Sequence, residues 1–225
     1  MPRKPAHEQF DTLSALQDRA FELFGRYGYE GVSIGDISKA ARLSKGALYW
    51  HFAGKEELFL ECLRRLHAIF TEHVIEPMRA QNDSMMAILA MFSGLEKLLR
   101  DPRVQNGVAG YWLVPSTPET QRLVAEQRAF EVASQATIRD VLAAGSRQGH
   151  FDLGEDLEDM SQAIISLMEA AILPLRHQEP DEVHSMTRVL ARTLFRAYAT
   201  PEALRTFAPL LQKGAANASL RLPLP

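Results

Sequence analysis

Leu13, Leu16, Ala20, Leu23, Phe24 and Tyr27 recur at intervals of three and four residues. That is the spacing of one face of an α-helix, and it predicts a first helix from about Thr12 to Tyr27. The rhythm returns in Leu58, Phe59, Cys62, Leu63, Leu66, Ile69, Phe70 and Val74, and again in Met85, Ile88, Leu89, Phe92, Leu95 and Leu99. Two further helices are predicted over Leu157–Leu173 and Val183–Ala199. Strand-like alternation appears nowhere along the 225 residues, so the expected fold is all-α.

The breaks in this rhythm define the organisation. Gly28 suits the left-handed position that closes a helix. Ser33 followed by Asp36 resembles a capping box and opens a short helix over Ile34–Ala41. "RLS" (42–44) is long enough only for a turn, and Ser44 caps a third helix that ends near residues 52–55. A fourth begins near Lys55 and is expected to stop at Pro77. Thr117 with Pro118, and later Thr200 with Pro201, are helix-start pairs. The first leads into a long helix to about Ala144, and the second into a short one. The expected domains are a compact head over residues 10–70, a larger helical body over 80–212, and a disordered tail over 213–225. The fourth helix joins head to body.

Two short helices joined by a three-residue turn make the helix-turn-helix pattern, here over residues 33–52. In that motif the second helix enters the major groove of duplex DNA with its N-terminal residues at the base edges. Those residues are Ser44, Lys45, Gly46 and Ala47. Lys45 can donate to guanine or to phosphate, and the small Gly46 and Ala47 allow close approach. Tyr49 and His51 carry ring-borne donors suited to phosphate oxygens, and Lys55 adds charge at the start of the next helix. Ile37, Ala40, Leu43, Leu48 and Phe52 would form the small core that fixes the pair. Trp50 can belong to that core or face the DNA. Arg3 and Lys4 are equally a minor-groove arm or a solvated terminus.

Net charge is −3, so a nucleic-acid site has to be local. Residues 1–55 hold eight Lys or Arg against six Asp or Glu, a modest positive excess. The lone Cys62 rules out an internal disulfide and fits a reducing compartment. "MPRKPAHEQFD" lacks an apolar segment after its cations, and no run of about 18 apolar residues exists to span a membrane. The reading is a cytoplasmic protein without a membrane partner.

"SIGDISKAARLSKGALYWHFAGKEELF" (33–59) resembles the DNA-binding segment of TetR-family transcriptional regulators, and is closest to the multidrug-efflux repressor branch. The likeness covers roughly residues 10 to 70, with "LYWHF" followed by Lys55 its most specific part. It implies a three-helix DNA-binding head, and a body that binds a small-molecule effector and forms a homodimer on a pseudo-palindromic operator. It also implies that Lys45 reads bases, that Tyr49 and Lys55 hold phosphate, and that Ser33 and Ser44 sit at helix N-termini facing DNA. One departure is Arg42, where the family's turn usually has glycine; a positive φ there would strain it.

For the body, "AIISLMEAAILPL" (163–175) is apolar on nearly every side and is expected to be buried all round. With the helix carrying Met186, Val189, Leu190, Leu194, Phe195 and Tyr198 it is either the dimer interface or the closure of the protomer's core. Met85, Phe92, Trp112, Phe130 and Met168 are candidate lining for an adaptable apolar pocket, and each is equally at home in ordinary core. Glu169 is the one charge in its stretch and needs a partner subunit, a ligand or water at a bundle edge. No catalytic or cofactor motif is present, and no cofactor is expected. Glu72, His73 and Glu76 are close enough on one helix to suggest a metal, although a solvated face is the simpler reading. A helical enzyme that does not bind DNA and a helical adaptor are the alternatives to a DNA-binding regulator.

Overall fold

The computed structural model describes residues 6–154, 157–172, 189 and 191–213. The described residues are mainly helical. Helix α1 spans Ala6–Tyr27, α2 Ile34–Ala40, α3 Lys45–His51 and α4 Lys55–Phe70. A π turn (Thr71–Ile75) and the short α5 (Glu76–Arg79) follow α4, and α6 covers Ser84–Leu99. Then come α7 (Gln121–Arg147), α8 (Leu157–Ile172), α9 (helical over residues 191–198) and α10 (Pro201–Lys213). The expected tail lies outside the described residues, apart from Lys213, which ends α10; so does most of the expected 183–199 helix before residue 189.

Two boundaries differ from the sequence reading. Helix α1 starts at Ala6, not Thr12. Its first six residues contain a single large apolar residue, so periodicity had nothing to register there. At Pro77 the chain does not stop. The helix first widens to a π turn, in which the Glu76 N–H bonds the Thr71 carbonyl. Pro77 then falls in the first turn of α5, where a missing N–H costs little.

The chain divides into two compact units. The first comprises residues up to Ala68 together with Pro102–Ala129. The second comprises Ile69–Asp101 and the residues from Phe130 onward. Periodicity had assigned 102–129 to the body. Tyr111 explains the difference: its ring is buried against Phe21 and Phe59, at centroid distances of 5.4 and 5.2 Å, and its hydroxyl donates to the Phe21 carbonyl at 3.1 Å. Phe24 and Tyr29 stack edge-on against Phe59 and complete an aromatic core for this unit. Cys62 lies in the same core, as its place on an apolar stripe suggested, and burial pushes its thiol up to about 12. Gly110 makes the approach of this segment to α1 possible. A Cβ there would lie 2.2 Å from the Phe24 carbonyl oxygen and 2.6 Å from the Gly28 nitrogen.

The second unit packs α6 residues Met85, Ile88, Met91, Phe92 and Leu95 into its interior, with Ile164, Ile165 and Met168 of α8 and Phe195 of α9. Phe70 meets Phe130 edge-on at 5.6 Å, and Phe92 lies 6.2 Å from Phe195. The run expected to be buried all round is not: within its described part, Ala163, Ser166, Leu167 and Ala170 are exposed. His73 of the suggested metal group is turned toward Asp101, Nε2 to Oδ2 at 2.7 Å. Among the described residues no group of three or more His, Cys, Asp or Glu is placed to hold a metal ion. No described helix is long and apolar enough to cross a membrane.

Candidate nucleic-acid interface

Ser33 starts α2 with a complete capping box. Its Oγ accepts from the Asp36 N–H at 3.1 Å, while Asp36 Oδ2 accepts from the Ser33 N–H at 2.9 Å and from its hydroxyl at 2.6 Å. These bonds, the hydroxyl first, hold the Asp36 carboxyl below its ordinary value. A depressed carboxyl contributes stability above the unfolded pKa of about 4, and the contribution disappears as pH falls through the lower folded value. The cap is therefore fully formed at neutral pH.

The turn then reverses the chain. Arg42 has φ 54°, the one positive φ among the described non-glycine residues. The three-residue turn forces this, and the arginine side chain is exposed. An L-residue held there costs about 1–2 kcal/mol. Arg42→Gly is therefore expected to stabilise the chain by about 1 kcal/mol, read as a rise in the urea midpoint at unchanged slope.

Ser44 ends the turn and caps α3, its Oγ accepting from the Ala47 N–H at 3.2 Å. Helix α3 has seven residues and buries only Leu48 fully. With Ile37 and Phe52, Leu48 is the core expected between the two helices. Ala40, assigned to that core, is exposed, and Leu43 is half-buried. Ser38, one turn from Ile34 on α2, takes the inner position instead, with its Oγ buried and without a hydrogen-bond partner.

The remaining face of α3 is open. Ser44, Lys45 and Gly46 are exposed, and Ala47 and His51 are half-buried. A Cβ on Gly46 would meet nothing nearer than Ser44 Oγ at 3.8 Å, so this flank is accessible down to the backbone. Tyr49 is 56% exposed and Trp50 77% exposed. Trp50, left open between core and surface by the sequence, is thus on the surface. Lys55, at the first turn of α4, lies with Nζ 4.1 Å from the centre of the Tyr29 ring. The Glu57 carboxylate accepts from the Ala53 N–H and fixes the "FAGK" turn just before it. Burial raises Tyr29, with the neighbouring Glu56 and Glu30 adding to the effect, so its ring stays neutral under the lysine.

The arrangement presents two large rings, a lysine and an unobstructed small-residue flank on one short capped helix. Exposed rings and cations in this setting can stack on, and donate to, a polyanion. The sequence leaves Trp50 open between core and surface, because a tryptophan beside a tyrosine has no hydropathic mark that separates core from contact; its 77% exposure decides for the surface.

Of the candidate effector residues, Met85, Phe92 and Met168 are buried, and Phe130 and Glu169 are half-buried, all in the second unit. Trp112 belongs to the first unit, on a 3-10 turn spanning Ala109–Trp112.

Residues 16–62 match the family model described as "Bacterial regulatory proteins, tetR family". The chain is 43% identical over 61 residues to the HTH-type transcriptional regulator AcrR of Shigella flexneri, covering 27% of this chain but only 28% of that relative. It is 26% identical over 156 residues to the probable acrEF/envCD operon repressor of Escherichia coli K12, covering 66% and 69% of the two chains. Among solved structures, a TetR transcriptional regulator from Chloroflexus aurantiacus J-10-FL superposes with a TM-score of 0.71 at 22% identity, over 86% of this chain and 98% of that one. That likeness extends the shared fold beyond the matched segment. These relatives are described as transcriptional regulators and repressors, not as enzymes.

Proposed function

We propose that this chain, whose residues 16–62 match the tetR family of bacterial regulatory proteins, is a transcriptional repressor that binds duplex DNA through α2 and α3. The observation that carries the reading is the open face of α3, with Lys45, Tyr49 and Trp50 exposed together on a helix capped by Ser44. Large rings are ordinarily withdrawn from water, and two adjacent exposed ones beside a cation need a partner that stacks and carries negative charge. A helical enzyme or adaptor gives these residues no task.

The test is binding of the full chain to duplex DNA taken from upstream of its own gene, followed across a salt series. Affinity is expected to fall steeply with salt, on the order of 10³-fold or more between 50 and 200 mM if six or more phosphates are engaged in the complex. A flat salt dependence, or no preference for any upstream duplex over a scrambled one, overturns the reading.

The repressor works as a homodimer on a pseudo-palindromic operator, each copy placing one α3 in the major groove. What supports a second copy is the outward face of α8, with Ala163, Ser166, Leu167 and Ala170, and the exposed Val189 before α9. Small and apolar residues let two helices pack closely.

A small apolar effector releases the DNA, held in the second unit among Met85, Phe92, Phe130 and Met168, with Glu169 for a polar or cationic group. The effector must favour the form that does not bind DNA, with a coupling of about 1–3 kcal/mol. Glu169→Gln preserves shape and removes charge. It is expected to weaken a cationic effector about tenfold or more while leaving dimerisation and unliganded DNA binding intact. Sedimentation showing more monomer would instead place Glu169 across the dimer.

A further inference from the structure

Gly35 is the second residue of α2, between Ile34 and the capping Asp36. Glycine weakens a helix relative to alanine. Its backbone here does not need glycine, because its φ is not among the positive ones. The space above it is occupied from outside the helix. A Cβ on Gly35 would lie 3.3 Å from Lys45 Cε and 3.6 Å from Lys45 Nζ, with Ser33 Oγ at 3.4 Å. The Lys45 side chain therefore runs from the start of α3 back across the first turn of α2. Its ammonium, with that of Lys39, adds to the Ser33 bonds in keeping Asp36 ionised.

We propose that Gly35 is a positioning residue for Lys45: the missing Cβ leaves the track along which the lysine side chain lies, and so sets which base pair its ammonium reaches. This rests on the DNA-binding reading above. The contact is with the far end of a flexible side chain, not with backbone. An added methyl is therefore accommodated by moving Lys45, without disturbing α2 or the capping box. The consequence is a separation of effects that a structural role for Gly35 would not produce. Stability is unchanged or raised, since alanine is the better helix former, while base preference shifts.

The test compares the parent, Gly35→Ala, Gly35→Leu, Lys45→Ala and the double variant Gly35→Ala with Lys45→Ala. Each is taken as the full chain against a panel of duplexes in which every base pair of the operator is varied in turn. Thermal melting is recorded alongside. Lys45→Ala identifies the base pair that the lysine reads, through loss of discrimination there of roughly five- to hundredfold. Gly35→Ala is expected to change discrimination at that same base pair by about threefold and Gly35→Leu by about tenfold, with the Gly35→Ala melting temperature no lower than the parent's. In the Lys45→Ala background, Gly35→Ala is expected to change nothing further.

Three results overturn the proposal. Unchanged discrimination in both Gly35 variants means that the lysine's path does not depend on the glycine. An equal loss with and without Lys45 means that residue 35 meets the DNA itself. A preference that Lys45→Ala leaves intact means that Lys45 reads no base. Failure of the parent to bind any duplex is a different outcome, visible in the control, and removes the DNA-binding reading with it.

Discussion

Gly110→Ala is expected to destabilise the chain by about 3 kcal/mol or more, a large share of the 5–15 kcal/mol typical of a folded domain. The added methyl would sit 2.2 Å from the Phe24 carbonyl oxygen, 2.6 Å from the Gly28 nitrogen and 2.8 Å from the Gly25 carbonyl oxygen. All three are backbone atoms near the C-terminal end of α1, so no rotamer change relieves the overlap. The 3-10 turn Ala109–Trp112 would have to lift away. That would pull Tyr111 from between Phe21 and Phe59 and break its hydrogen bond to the Phe21 carbonyl. Gly107→Ala is the control. Its φ of 96° strains any side chain, yet nothing lies within 4 Å of a Cβ there, so a cost of about 1–2 kcal/mol is expected. Urea unfolding of the two variants separates lost space from backbone strain. Equal midpoints would show that the approach at Gly110 is not tight.

Replacing Lys45 and Tyr49 is expected to affect DNA binding in different ways. Lys45→Ala is expected to remove the proposed base contact, worth about 1–3 kcal/mol of discrimination, so the proposed dimer with two altered copies would lose on the order of 2–6 kcal/mol for the correct operator. Its base preference relaxes at one position in each half-site. Tyr49→Phe removes the hydroxyl proposed to donate to phosphate. It is expected to weaken every duplex alike by about 1 kcal/mol per copy. Trp50→Ala is expected to leave the melting temperature where it was, since a ring 77% exposed contributes little to the core, while weakening DNA binding. Its fluorescence in the parent should be quenched when duplex is added. Anisotropy titrations against matched and mismatched duplexes read all three variants. The assignment of α3 to DNA is lost if Lys45→Ala and Tyr49→Phe both bind as the parent does.

The helices themselves were legible from the order of residues alone. The three- and four-residue spacing along α1, α4 and α6 reports a local geometry that needs no distant partner. So did the caps, because Ser33 and Ser44 bond N–H groups only three residues away. The helix-turn-helix was readable for the same reason: its turn, caps and Leu48 lie within some twenty residues. Arg42 was flagged as out of place in the turn, and its φ of 54° bears that out.

Tertiary structure decided the rest. Residues 102–129 join the first unit because Gly110 and Tyr111 meet residues about 90 positions earlier, and periodicity carries no record of such a partner. Pro77 fails to stop its helix because a π turn changes the hydrogen-bond register just before it. Trp50 faces outward, and Ser38 is buried where Ala40 was expected, because a seven-residue helix turns about twice and one residue's rotation decides which side chain is buried. Local sequence specifies where backbone bonds close within a few residues. Which face is covered depends on what arrives from elsewhere in the chain, and only the packed molecule contains that.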